Sequence, residues 1–136
     1  FREYIGNGQF DLDGTSVGFY LSLHTSAASA NVNTATLSTY ASLANEVASG
    51  NGYTTGGASV TSRTWASVAT DKYRFDSTAV VWTATGGTIA NIKYAVVYQS
   101  GGKLVCFSKL TSSQFTLAED NTLTVTPSAS GIFELA

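Results

Sequence analysis

The chain has 136 residues, of which 43% are hydrophobic and only 12% charged, with a formal net charge of −2 and a pI near 5.1. That length fits one domain with a sizeable core, and the apolar content excludes the intrinsically disordered class. The seven Lys and Arg residues are scattered, so the basic footprint of a nucleic-acid binder is missing, and no apolar run approaches the length of a bilayer span.

In chain order, the opening FREYIGNGQF carries Phe1, Tyr4, Ile5 and Phe10. Residues 1–11 read equally as a first strand or as an arm reaching onto a neighbour, which makes these four the candidate interface residues. No Met occurs and no secretory pattern opens the chain, so the expected native start is processed or lies upstream of a soluble domain. DLDG at 11–14 offers two carboxylates and a glycine but has Thr15 at the third ligand position, an early glycine and no closing Glu; a turn is expected there. SVGFYLSLHT then alternates, with Val17, Phe19, Leu21 and Leu23 pointing one way and Tyr20, Ser22 and His24 the other, as in a strand with one face in the core. SAASANVNTAT reads as an exposed loop. Leu37, Tyr40, Leu43, Ala44 and Val47 recur at helical spacing, predicting one short helix over 36–46.

NEVASGNGYTTGG at 45–57 invites a nucleotide-loop reading, yet its glycines fit neither G-x-G-x-x-G nor the phosphate loop, and the residues after it alternate as a strand. It reads as a glycine turn anchored by Val47 and Tyr53. From residue 58 the pattern is all strand: ASVTSRTWA, KYRF, TAVVWTA, ANIKYAVVYQ, KLVCFSKL, SQFTL, NTLTVTP and GIFEL, separated by turn residues. QSGGKL is the clearest hairpin, joining the strand of Tyr94, Val96 and Tyr98 to that of Leu104 and Cys106. Pro127 suits a strand end or edge. The expected fold is all-β, an antiparallel β-sandwich of jelly-roll or immunoglobulin-like type over 1–136, with a single helical excursion.

Chemistry-bearing residues are few. Cys106 is the only cysteine, which rules out an intrachain disulfide, and its strand setting predicts a buried structural thiol. His24 is the only histidine, on the outward phase of its strand; a Ser-His-Asp triad would have to recruit it, and no serine lies in G-x-S-x-G. Asp71 and Asp76 flank KYRF, where Lys72 and Arg74 are placed to neutralise them. Core packing is the ordinary role for Trp65 and Trp82, with a sugar platform as the alternative. No catalytic, cofactor-binding or metal-ligating set emerges, and no enzyme, cofactor or small-molecule substrate is expected.

NEVASGNGYTTGGASV, FDSTAVVWTATGGTIANIKYAVVYQ and the terminal SGIFEL together resemble a group of small structural proteins of tailed bacteriophages and prophages, over a span from about residue 12 to 136. LSLHTS is similar to that group's first strand and following loop; the Ser26–Thr36 loop, rich in Ala, Ser and Asn, departs from it. The resemblance implies a virion structural protein assembled in the bacterial cytoplasm, with no catalytic residues. The favoured role is capsid decoration, or cement, as a homotrimer bound to the major capsid protein. A tail or fibre-associated protein is the alternative within phage biology, and a carbohydrate-binding module the alternative outside it. Low charge and a Ser/Thr-rich surface suit a chain packed among neighbours, with no nucleic-acid or membrane partner.

Overall fold

The computed structural model describes residues 8, 10–13, 16–28 and 39–136. Among them the chain is all-β and antiparallel throughout, arranged as a sandwich. One four-stranded sheet has the order β2 (Ala58–Ser59), β1 (Phe19–His24), β7 (Tyr94–Gln99), β8 (Lys103–Lys109). Three smaller ladders complete the fold: β11 (Phe133–Leu135), β4 (Lys72–Asp76) and β3 (Thr64–Ala69) in that order, β10 (Thr122–Val125) beside β5 (Val80–Thr83), and β6 (Ile89–Ile92) beside β9 (Phe115–Leu117).

Two long broken hairpins account for most of this. β6 and β7 run on from one another past Lys93 and pair with β8 and β9, after the turn in which Gly101 and Gly102 take φ of 90° and 88° and Gly102 N–H donates to Gln99 O at 2.8 Å. The predicted hairpin therefore forms where its two glycines permit positive φ. In the same way β4 and β5 pair with β11 and β10, Phe75 opposite Phe133 and Val80 opposite Val125, with the ladder interrupted between those pairs.

The core lies between the layers. Phe19, Leu21 and Leu23 of β1 and Ala95 and Val97 of β7 share one face, and pack in one cluster with Phe75, Trp82, Ile89, Ile92 and Leu117. Phe19 and Phe75 meet at 5.2 Å between ring centroids, and the Arg63 guanidinium lies over the Phe19 ring, 4.8 Å from its centroid. Trp82 is buried, as its place in AVVWTA predicts.

Three local expectations are corrected. The helix over 36–46 is, within the described residues, a single 3₁₀ turn at Tyr40–Ser42; Leu43 is already extended at φ −78°, ψ 137°, and Asn45 at φ 61° cannot continue a helix. ASVTSRTWA is two strands, because Ser62 at φ 51° turns the chain from β2 in one sheet to β3 in the other. His24 is fully buried, since the second face of β1 is covered as well as the first. Of the candidate interface residues, Phe10 packs into the core of its own chain at 8% exposure, and Phe1, Tyr4 and Ile5 lie outside the described residues.

Candidate functional site

The densest polar constellation covers the outer face of β1 and β7. Tyr20, Ser22 and His24 stand opposite Tyr98, Val96 and Tyr94 on that face. The segment 40–57 folds over them, and Glu46 is its hub. Glu46 Oε1 accepts from the Tyr53 hydroxyl at 2.6 Å and from Gly56 N–H at 2.7 Å, while Oε2 accepts from the Tyr40 hydroxyl. Tyr53 in turn accepts the Leu23 N–H at 2.9 Å, and Tyr98 donates to Gly56 O at 2.7 Å. Tyr40 lies flat on Tyr98, centroids 3.9 Å apart and planes at 13°, and Tyr20 stacks on the same ring at 5.6 Å. Burial, reinforced by the hydrogen bonds to Glu46, raises the Tyr53 and Tyr40 hydroxyls well above their ordinary value of 10.

This arrangement explains the glycine stretch. β2 pairs with β1 only at Tyr20 and Leu21. Beyond that, the edge of β1 is completed by Val47 N–H donating to Leu23 O, by Thr25 N–H donating to Asn45 O, and by the Tyr53 hydroxyl on Leu23 N–H. Residues 45–57 thus act as a substitute strand that shields an edge. The close approach requires Gly57, at φ 74°, where a Cβ would lie 1.9 Å from Leu21 O. Val47 and Tyr53 are buried anchors, as the sequence predicts.

Ser22 and His24 have the spacing of a nucleophile and its base, with Oγ and Nε2 3.0 Å apart. With Nδ1–H donating to Ala44 O at 3.4 Å, Nε2 is left to accept the Ser22 hydroxyl, which satisfies a neutral ring. Burial lowers the His24 pKa and outweighs the Ala44 carbonyl and the Glu46 charge, which act upward. Both side chains are fully buried, and Nδ1 faces a carbonyl where a triad would place a carboxylate. The pair supplies internal hydrogen bonds and offers no surface to a substrate.

The remaining candidates scatter. Lys72 and Arg74 do not serve Asp71 and Asp76: both reach Glu134 across β4 and β11, at 2.5 and 2.9 Å, and those hydrogen bonds hold the Glu134 carboxyl below its usual range. Asp76 accepts from Ser77 N–H instead, and Asp71 occupies the β3–β4 turn at φ 57°. Asp11 accepts from the Ser16 hydroxyl, and among the described residues no cluster of three His, Cys, Asp or Glu side chains forms. Cys106 is half-buried on β8, and burial pushes its thiol up to about 12.

Sequence reasoning missed one surface. On the β3–β4–β11 sheet, Trp65, Tyr73, Phe75, Phe133 and Leu135 share a face opposite the Glu134 cluster. Phe75 is in the core, but the row runs outward through Phe133 and Trp65 to Tyr73, which stacks on Trp65 at 5.4 Å and is 46% exposed. Val68, beside a bulge in β3, is 41% exposed. The alternation of KYRF and GIFEL shows which residues share a face, but not that this face extends past the core.

The fold and its surfaces define an all-β sandwich whose densest polar cluster is spent on internal bonds and whose large apolar side chains break the surface at Val68 and Tyr73, at Val81 of β5 and at Phe107 of β8. Comparison with protein-family models, with curated proteins and with solved structures finds no match to this chain.

Proposed function

We propose that the protein is a structural component of a bacteriophage virion, within that class a capsid decoration protein that binds the major capsid protein and copies of itself. The observation that supports this most is the Trp65–Tyr73–Leu135 face, with Val68 nearby: aromatic and aliphatic side chains on a rigid sheet, half exposed, on a surface with little charge to repel a neighbour. The resemblance in the 45–60 and 75–99 segments and in SGIFEL points the same way. The mechanism is adhesion: many modest contacts repeated over a lattice clamp adjacent capsomers. Purified protein added to undecorated shells should bind at many equivalent positions and raise the temperature at which shells rupture. Binding at a few sites per particle, without any gain in rupture temperature, would replace this reading with the tail-associated one.

One observation favours a second reading. Tyr73 stacked on Trp65 presents an aromatic ring to solvent, the kind of surface on which a sugar ring packs. Trp82 cannot contribute, being buried. Saturable glycan binding lost in Tyr73→Ala, with the fold retained, would establish a carbohydrate-binding module.

A further inference from the structure

The interrupted ladder between the two broken strand pairs leaves a cleft of about 270 Å³. Its origin is local. Between the pairs Phe75–Phe133 and Val80–Val125 the two chains part, and Pro127 has no N–H with which to continue the ladder. The following turn is closed by Gly131 N–H donating to Ser128 O at 2.8 Å and by the Ser128 hydroxyl donating to Gly131 O at 3.1 Å, which holds the excursion open. Opposite it, β7 and β8 present short side chains, Ala95, Cys106 and Ser108, which do not fill the gap.

Leu21, Val60, Val97, Val125 and Ile132 make an apolar wall, while the hydroxyl-bearing residues Ser77, Thr78, Ser108, Thr126 and Ser128 stand among the rest of the lining. Among the described residues no Asp, Glu, Lys, Arg or His lines it. An ionic ligand would find no counter-charge there, and apolar side chains give water poor partners along the Leu21, Val97 and Val125 wall.

We propose that this cleft is a binding site for a small uncharged apolar molecule carrying at most one hydrogen-bonding group. An apolar cavity of about 150 Å³ accepts benzene, so this one suits a ring system or branched chain of about ten non-hydrogen atoms. A single polar end would face the hydroxyls. The site does not depend on the adhesive face, which lies on the β3–β4–β11 sheet, and it stands or falls independently of the virion reading.

Indole is a suitable probe, with indole-3-acetate as its charged counterpart. Titration of the full chain, followed by methyl NMR, should give saturable shifts at Leu21, Val97, Val125 and Ile132 with Kd below about 1 mM, and binding of the charged probe weaker by about tenfold or more. Saturating indole should also slow maleimide labelling of Cys106. Ala95→Leu, which adds volume to the floor, should abolish the shifts. If that variant does not fold, Ser108→Phe on β8 serves the same purpose. Absence of saturable shifts, shifts that map outside the cleft, equal affinity for the charged probe, or unchanged binding in a folded filled variant would each overturn the proposal.

Discussion

Replacing Tyr53 by Phe removes one oxygen and tests the idea that a side chain stands in for a missing strand. That hydroxyl accepts Leu23 N–H at 2.9 Å and donates to Glu46 Oε1 at 2.6 Å, in a setting where Leu23 is fully buried and Tyr53 is 2% exposed. Without it, the Leu23 donor has no partner and no room for water. A buried donor left unsatisfied costs roughly 1–3 kcal/mol and the lost bond to a carboxylate roughly 1.5–3; since the two overlap, roughly 2–4 kcal/mol is expected. With 136 residues and an unfolding entropy of about 2.1 cal/mol/K per residue, each kcal/mol shifts Tm by about 3.5 °C, so Tyr53→Phe should lower it by about 7–14 °C. Tyr73→Phe, which removes a hydroxyl from an exposed ring, should change stability by less than about 0.5 kcal/mol. Calorimetry gives the first number, and hydrogen exchange at Leu23 should accelerate in the same variant. A Tm drop under about 2 °C with unchanged exchange at Leu23 would refute the reasoning.

Gly57→Ala should be worse than a simple left-handed penalty of about 1–2 kcal/mol, because its Cβ meets backbone; Gly101→Ala, at φ 90° in open space, isolates that penalty in the same denaturation assay. On the acid side, His24 has a folded pKa below its ordinary 6.5, so the unfolded chain binds the proton first. Stability is then full above about pH 6.5 and declines as the pH falls below it, and His24→Gln should flatten that part of a Tm–pH curve. On the alkaline side, Cys106, Tyr40 and Tyr53 all have raised values, so stability holds below about pH 9 and falls as the pH climbs; Cys106→Ala should flatten the portion up to about 12. The double substitution Val68→Ser, Tyr73→Ser should leave Tm within about 3 °C but abolish attachment to undecorated shells, measured by sedimentation.

The strand content was legible because β-branched and aromatic runs at period two leave little alternative, and QSGGKL named its own turn. Burial on the second face of β1 was not. Alternation in SVGFYLSLHT separates two sets of residues without saying how many are covered, and the cover comes from Tyr40, Glu46 and Tyr53, which reach His24 only through the tertiary fold. The helical spacing of Leu37, Tyr40, Leu43 and Val47 misled for a related reason. Leu43 and Val47 are both drawn inward, but into different clusters, Leu43 against Tyr94 and Val96 and Val47 into the main core, and an extended chain satisfies both. Lys72 and Arg74 paired with Glu134 and not with their sequence neighbours because β11 closes against β4, a partner no local reading supplies.

The second broken hairpin bears on how the chain comes off the ribosome. Phe75 has Trp65 on one side but takes its other ladder partner from Phe133, and Val80 pairs with Val125, so β4 keeps one hydrogen-bonding edge bare and β5 waits for its partner until residues 122–135 have been synthesised. Pairings so distant along the chain close slowly, and unpaired edges invite aggregation meanwhile. Completion of this layer therefore waits for β10 and β11, and a product truncated before β10 should be insoluble or rapidly degraded in the cell even though every strand of the four-stranded sheet is already present in it.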